Sequence, residues 1–295
     1  MTTEPNLPGL VYRSHYAADT KMRARLDDLI GATFSLDLGA LTEFDFQDPS
    51  FTPFSYFDES GACIANVGVY AMPLILDGRR VDALALQSVC TAPAWRMRGL
   101  FRDLVTRALK WCDERADLII LKTDTPSLYP RFGFKARSQS RFRMETAETT
   151  QDRSVETRML DIRGDAELVK RLFRDRAPVS NTLALSDYGT IFFLEAAVNP
   201  AFALHYLPAF DAMMATCKSA DGTFQIDNII GRDIPPLSAL LGALDEIPEI
   251  VEFGFPPDRL AVGVEVTPLE QMAQIMTRGP FLPDGTPFRV PASGI

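Results

Sequence analysis

The sequence predicts an α+β protein, a mixed and mostly antiparallel twisted sheet flanked by helices, and three observations carry that prediction. Phe54–Phe57 and Cys63–Tyr70 are strand-like runs separated by the polar turn Asp58-Glu59-Ser60-Gly61, and a second such turn, Asp77-Gly78-Arg79-Arg80, leads into a further apolar run. That run (Val81, Ala83, Leu84, Ala85, Leu86, Val89) passes through one short turn directly into an amphipathic helix. Residues 203–255 then repeat the same order of hairpin strands, helix and strand. A chain of 295 residues with 46% hydrophobic and 23% charged residues can bury a substantial core and is long enough for two domains.

In chain order, Leu10–Tyr16 reads as a first strand. Thr20–Phe34 reads as a helix with Met22, Leu26, Leu29 and Ile30 on one face and Thr20 as its cap. Asp37–Ser50 reads as a short second helix with loops. After the two hairpin strands and the apolar run comes Thr91-Ala92-Pro93-Ala94-Trp95-Arg96-Met97-Arg98-Gly99. The helix beyond it repeats Leu100, Phe101, Leu104, Val105, Ala108, Leu109 and Cys112 along one face, with Arg102, Asp103, Arg107, Lys110 and Asp113 opposite. Asp117–Lys122 is the next strand, and Tyr129-Pro130-Arg131-Phe132-Gly133-Phe134 closes a turn. Phe142 and Met144 mark the last strand of a first domain that ends near Asp152.

The turn before Leu100 has the makings of an anion site. A helix N-terminus leaves about four amide N–H groups without partners and carries roughly half a positive charge. Gly99 allows close approach of a ligand to the backbone, and Arg96, Arg98 and Arg102 add charge at the same point.

Strand, Pro93, Arg96-x-x-Gly99-x-Phe101, amphipathic helix, strand and Tyr129-x-x-x-Gly133-Phe134 together resemble the GNAT superfamily of acyl-CoA-dependent N-acetyltransferases, over roughly Leu10 to Glu145. The resemblance implies a GNAT fold and a catalytic domain over residues 1–152. It implies that the backbone of Met97, Arg98, Gly99, Leu100, Phe101 and Arg102 holds the coenzyme A pyrophosphate. The resemblance further implies that Val89, Cys90 and Thr91 lie beside the pantetheine arm and acetyl group, and that Tyr129 is the acid that protonates the leaving thiolate. Phe101 departs from the usual Gly or Ala of that loop, so either its amide is presented in a slightly different way or, as the helix periodicity suggests, its ring points into the core.

The second half carries amphipathic Ala166–Asp175, a helix over Asp187–Val198, strands at 203–207, 212–218 and 223–230, a helix at 236–245 and a strand at 249–255. Residues 153–295 are therefore expected to form a second GNAT-like domain without a coenzyme loop, because Gly231-Arg232-Asp233-Ile234-Pro235-Pro236 puts prolines where N–H groups would be needed. An unrelated α+β domain stays open as the alternative.

A net charge of −9 disfavours nucleic acid and anionic membrane and suits a cationic substrate. No apolar run approaches about 18 residues, and Met1–Pro5 lacks the features of a signal peptide, so a cytoplasmic protein is expected. Cys63, Cys90, Cys112 and Cys217 are scattered and only two histidines occur, so no metal is expected.

The expected activity is transfer of an acetyl group from acetyl-CoA to a primary amine, on a small molecule or a protein, by direct attack in a ternary complex. No general base is evident. Ile120, Leu121 and Gln87 occupy the strand faces, and Asp58, Glu59 and Asp124 read as turn or cap residues. His15 and His205 each read as core or surface residues, and Trp95 and Trp111 as packing. A non-catalytic acyl-CoA sensor or scaffold, a transferase of a longer acyl group, and a homo-oligomer all stay open.

Overall fold

The computed structural model describes residues 8–39, 41, 46–147, 152–186, 189–270 and 272–295. Strand β1 (Val11–Ser14) leads into α1 (Thr20–Phe34), and the helix is capped by Asp19, one residue before the expected Thr20. The Asp19 carboxylate accepts from the amides of Lys21 and Met22 at 3.0 and 3.1 Å, satisfying two donors that Thr20, already helical, cannot reach. The short helix expected within Asp37–Ser50 includes residues 40 and 42–45, which lie outside the described residues.

β2 (Thr52–Phe57) and β3 (Cys63–Ala71) form the first hairpin. Asp58 ties their turn by accepting from the amides of Ser60 and Ala62 at 2.9 and 3.0 Å. The short hairpin β4 (Leu74–Leu76) and β5 (Arg79–Val81) turns on Asp77 and Gly78, both at positive φ. Val81 therefore belongs to that hairpin, and the expected apolar strand is β6 (Ala83–Thr91). α2 (Leu100–Asp113), β7 (Leu118–Thr123), β8 (Lys135–Arg137) and β9 (Ser140–Glu145) follow.

The second half runs β10 (Arg158–Leu160), α3 (Ala166–Arg174), β11 (Leu183–Leu185), α4 (Thr190–Val198), β12 (Ala203–Leu207), β13 (Ala212–Lys218), β14 (Phe224–Gly231), α5 (Leu237–Gly242), β15 (Ile250–Phe253), β16 (Glu265–Pro268) and β17 (Gln274–Arg278). Residues 187 and 188 of the expected helix over Asp187–Val198 lie outside the described residues.

These strands build two seven-stranded sheets, in the orders β1-β2-β3-β6-β7-β17-β8 and β10-β12-β13-β14-β15-β9-β16. A three-stranded sheet, β11-β4-β5, joins the halves. Only β6 with β7 and β14 with β15 run parallel, so each sheet is mixed and mostly antiparallel, and the two are tandem versions of one design.

The strand over Phe142 and Met144 does form, but its place differs from the expectation. As β9 it pairs with β15 and β16 in the second sheet, Phe142 lying opposite Phe253. In return β17, which no sequence pattern announced, lies between β7 and β8 of the first sheet. Alternation of apolar residues fixes which side of a strand is buried; it does not name the neighbouring strand.

The first sheet is covered on one face by α1 through Leu26, Leu29 and Ile30, and on the other by α2 through Leu100, Leu104, Val105 and Ala108. In the second sheet α3 and α4 pack with Met213, Ala215 and Ile230, and α5 packs on the opposite face with Ile226, Ile229 and Phe253. Each fully buried Leu contributes about 1.5–3 kcal/mol, which is what holds both helices of the first sheet in place. No helix among the described residues is long and apolar enough to cross a membrane.

Candidate functional site

β6 and β7 pair only at Ala83–Leu118, Leu84–Ile119 and Ala85–Ile120, although β6 runs on to Thr91 and β7 to Thr123. Past that point the two strands separate, and the edge of β6 from Leu86 onward has no strand beside it on the β7 side. Of the residues expected along this edge, Cys90 is buried while Val89 and Thr91 are half-buried.

The far end of β6 is shaped by a bulge. Asn66 is opposite Cys90 and Gly68 is opposite Gln87, so Ser88 and Val89 together face the single residue Val67. Ser88 sits at φ 51°, a conformation that costs an L residue roughly 1–2 kcal/mol and persists only where its surroundings impose it. The Asn66 side-chain amide donates to the Ser88 carbonyl at 2.9 Å.

The turn from β6 into α2 is a short 3-10 segment, Pro93–Trp95, followed by Arg96, Met97, Arg98 and Gly99. Met97 and Gly99 adopt the left-handed region at φ 63° and 85°. No side chain caps α2. The acid of its first turn, Asp103, is held sideways by the Tyr56 hydroxyl and the Arg107 guanidinium, both at 2.7 Å, and so leaves the leading amides alone. A Cβ built on Gly99 meets nothing within 4 Å, so the approach to these amides is open.

Around this point Arg96 donates to the Thr91 carbonyl at 3.1 Å, which closes the loop over the strand end. The Arg98 guanidinium lies 4.7 Å from the Trp95 ring centre, giving Trp95 a part in the loop beyond packing. Arg102 is exposed and Leu100 is buried. The leading amides, the open approach and the three arginines fit a diphosphate.

Phe101 is half-buried, and its ring meets Tyr129 edge-on at 5.6 Å and Phe132 at 6.0 Å. The departure from a small residue thus builds an aromatic wall that brings Tyr129 against the first turn of α2. Tyr129 itself is buried, which pushes its phenol up to about 12, the Thr123 hydroxyl working in the opposite direction and Asp124 adding to the rise.

Burial likewise pushes the Cys90 thiol up to about 12, with Cys63 adding to it. Neither histidine joins the site. His15 stacks edge-on with Phe54 and Trp111, and His205 bonds Thr216 across β12 and β13. Asp58 is committed to its turn, and the Ser60 hydroxyl first, then the turn amides, hold its carboxyl below the usual range. Among the described residues no group of three or more His, Cys, Asp or Glu is arranged to hold a metal ion.

Sequence reasoning missed Lys122. It lies two residues past the last β6–β7 pair, on the face of Ile120, and its ammonium donates to the Ile295 carbonyl at 3.1 Å. Desolvation lowers its pKa while Asp227 and Glu195, both from the second half, oppose that shift. The signal available was its place as the first polar residue after four apolar ones in a strand. Ser55 and Asn66 were missed too; each is a polar residue in an otherwise apolar strand, and both are fully buried.

The second sheet has a corresponding parting between β14 and β15, which pair only at Gln225–Glu252 and Ile226–Phe253. Here the chain itself closes the gap. Asp227 accepts from the amide of Ala292 at 2.8 Å and from the Ser293 hydroxyl, while Arg289 bridges Glu252 and Gln225. Pro236 sits at the N-cap of the six-residue α5. A separate cavity of about 580 Å³, lined by Leu84, Arg115, Lys170 and Phe193 among others, lies at the opposite end of β6 from the Gly99 loop.

Residues 54–137 match the family model described as an acetyltransferase (GNAT) domain. No curated protein matches the chain. Three solved structures are similar through both halves. One is a conserved protein of unknown function from Enterococcus faecalis V583, called a probable N-acyltransferase, with 14% identity over 92% of this chain and 72% of that one and a TM-score of 0.60. Eis1 from Mycobacterium abscessus has 19% identity, 92% and 73% coverage and a TM-score of 0.59. A GCN5-related N-acetyltransferase from Kribbella flavida has 20% identity, 92% and 71% coverage and a TM-score of 0.55. At such identities the likeness is one of fold.

Proposed function

We propose that this chain, a member of the GNAT superfamily through the acetyltransferase domain of residues 54–137, moves an acetyl group from acetyl-CoA to a primary amine by direct attack, with both substrates bound together. The observation that carries this reading is an uncapped helix N-terminus, entered through left-handed Met97 and Gly99, at the open end of a parted strand pair.

In this reading the backbone from Met97 to Arg102 holds the diphosphate, with Arg96, Arg98 and Arg102 supplying charge. Val89, Cys90 and Thr91 line the path of the pantetheine and acyl group along the unpaired edge of β6. Acyl-CoA supplies the activated thioester. The protein supplies position, which converts an encounter of two solutes into an attack within one complex, and N–H groups at the bulge to meet the carbonyl oxygen.

Tyr129 is the proposed acid. Its elevated pKa keeps the phenol protonated across the neutral range, and in this role it donates to the sulfur as negative charge develops there. The acceptor attacks as the neutral amine, drawn from the deprotonated fraction in solution. The high pKa of the Cys90 thiol argues against an acyl-cysteine relay and for direct attack.

The second sheet, built from residues after 153 together with β9, is on this reading the core of a second GNAT-like domain without a coenzyme site. It completes the acceptor cleft, and its acids Glu195 and Asp227 act electrostatically on Lys122. The net charge of −9 suits an amine that arrives as a cation, whether a small molecule or a protein side chain, and the cytoplasm is the proposed location.

The test is a thiol-release assay with acetyl-CoA and a panel of amines, run beside calorimetry with coenzyme A. Binding together with amine-dependent thiol release supports the proposal. Binding without release from any amine points to a sensor, release only with longer acyl donors changes the acyl group, and no binding at all ends the reading.

A further inference from the structure

Three polar side chains on the α1 side of the first sheet form one directed chain that ends on a backbone carbonyl. The Ser55 hydroxyl donates to Asn66 Oδ1 at 2.7 Å, and Asn66 Nδ2 donates to the Ser88 carbonyl at 2.9 Å. Tyr16 OH lies 2.5 Å from Ser55 Oγ. The single proton of Ser55 is already given to Asn66, so Tyr16 is the donor in that contact. The order of donation is therefore Tyr16 to Ser55 to Asn66 to the Ser88 carbonyl. Cys90 Sγ adds a second, weaker contact to the same carbonyl at 3.5 Å.

Ser55, Asn66 and Cys90 are aligned across β2, β3 and β6, Ser55 opposite Asn66 and Asn66 opposite Cys90. Ser55 is 0% exposed and Asn66 1%. Burying an amide and a hydroxyl in an apolar sheet is costly unless every donor finds an acceptor, and apolar side chains of similar shape would hold the sheet as well. What this chain of donors does hold is the one residue of β6 with strained backbone, Ser88 at φ 51°.

A trans peptide points its N–H opposite to its C=O, and the chain has no cis peptide among the described residues. With the Ser88 carbonyl drawn to Asn66, the N–H of Val89 points away from Asn66, out of the network. A carbonyl that accepts from the end of a donor chain is polarised, and its own peptide N–H becomes a stronger donor.

We propose that Asn66, supported by Ser55 and Tyr16, is a positioning residue that aims and polarises the Val89 N–H as the group that meets the acyl carbonyl oxygen. The inference rests on the acyl-transfer reading above. It also joins the acceptor side to the donor side: Tyr16 lies between β1 and α1, so the segment entering α1 and the amide at the bulge form one hydrogen-bonded unit.

The experiment compares wild type with Asn66→Leu, which keeps volume and removes the donor, and with Ser55→Ala and Tyr16→Phe, which shorten the chain from its far end. Five quantities are read: the 1H–15N resonance and the hydrogen exchange of the Val89 amide without ligand, the Kd of coenzyme A, kcat, and the carbonyl stretch of bound 13C-labelled acetyl-CoA.

The expected result for Asn66→Leu is a displaced and faster-exchanging Val89 amide, a coenzyme A Kd within about twofold of wild type, and a kcat lower by about 10- to 100-fold. The labelled carbonyl stretch should move back toward its solution value. Tyr16→Phe and Ser55→Ala should show the same pattern at smaller size, and they carry the test if Asn66→Leu does not fold. Unchanged kcat and carbonyl stretch in folded variants, or a loss confined to coenzyme A affinity, overturns the assignment. A wild-type protein that does not bind coenzyme A overturns the acyl-transfer reading itself, a result seen before any variant is made.

Discussion

Replacing Gly99 by alanine separates the backbone's contribution to coenzyme binding from its contribution to stability. Gly99 is at φ 85° and an added Cβ meets nothing within 4 Å, so the substitution introduces no clash and its cost is conformational. The left-handed region costs an L residue roughly 1–2 kcal/mol, and the stiffer unfolded chain returns about 0.4–1 kcal/mol. The net loss is about 0.5–1 kcal/mol, seen as a fall in Tm of roughly 2–3 °C. Gly61 is a matched control: it sits in the β2–β3 turn at φ 80° with nothing within 4 Å of an added Cβ. Gly61→Ala should lose the same stability and leave coenzyme A binding alone. In Gly99→Ala the loop sheds its strain by turning the peptide whose N–H faces the ligand, and losing one hydrogen bond to a charged group lowers affinity by about tenfold or more. Calorimetric melts give the first quantity and titration with coenzyme A the second, with pantetheine, which lacks the diphosphate, binding both variants equally. Equal coenzyme A affinity in the two variants would refute the role assigned to the loop.

Tyr129→Phe should keep coenzyme A affinity and lower kcat by about 100-fold, and the wild-type rate should show no alkaline decline from this phenol until pH nears its pKa of about 12; a full-rate variant in a steady-state assay removes Tyr129 from the chemistry. Cys63 and Cys90, both pushed up to about 12 by burial, should resist iodoacetamide at pH 8 in the native protein and react after denaturation, as read by intact mass. A chain cut after residue 152 should not fold on its own, because β7 loses its partner β17 and β8 its only neighbour in the sheet; a cooperative melt and a monomeric elution volume from that fragment would contradict the exchange of strands.

The hairpin turns, α1, α2 and the Gly99 loop were legible because each is local. Leu100, Leu104, Val105 and Ala108 recur within one helix, Asp77 and Gly78 set a turn between adjacent residues, and a glycine before an amphipathic run needs no distant partner to be read. The cap of α1 was misplaced by one residue, since Asp19 and Thr20 are both capping types and only the backbone tells which stands outside the helix. The positive φ at Ser88 was not legible: no residue type there demands it, and the side chain that bonds its carbonyl, Asn66, comes from a neighbouring strand.

The sequence by itself determined that this is an α+β chain with a glycine turn, at Gly99, opening an amphipathic helix and a tyrosine downstream of it. Only the tertiary structure decided that β9 and β17 change sheets, that Lys122 reaches the Ile295 carbonyl, and that Tyr16, Ser55 and Asn66 form a chain ending on one carbonyl. The physical reason is distance along the chain. Periodicity and turn chemistry act between residues a few positions apart, whereas strand pairing is settled by burial and hydrogen bonds between residues such as Arg137 and Thr277, 140 positions apart, for which no local pattern exists.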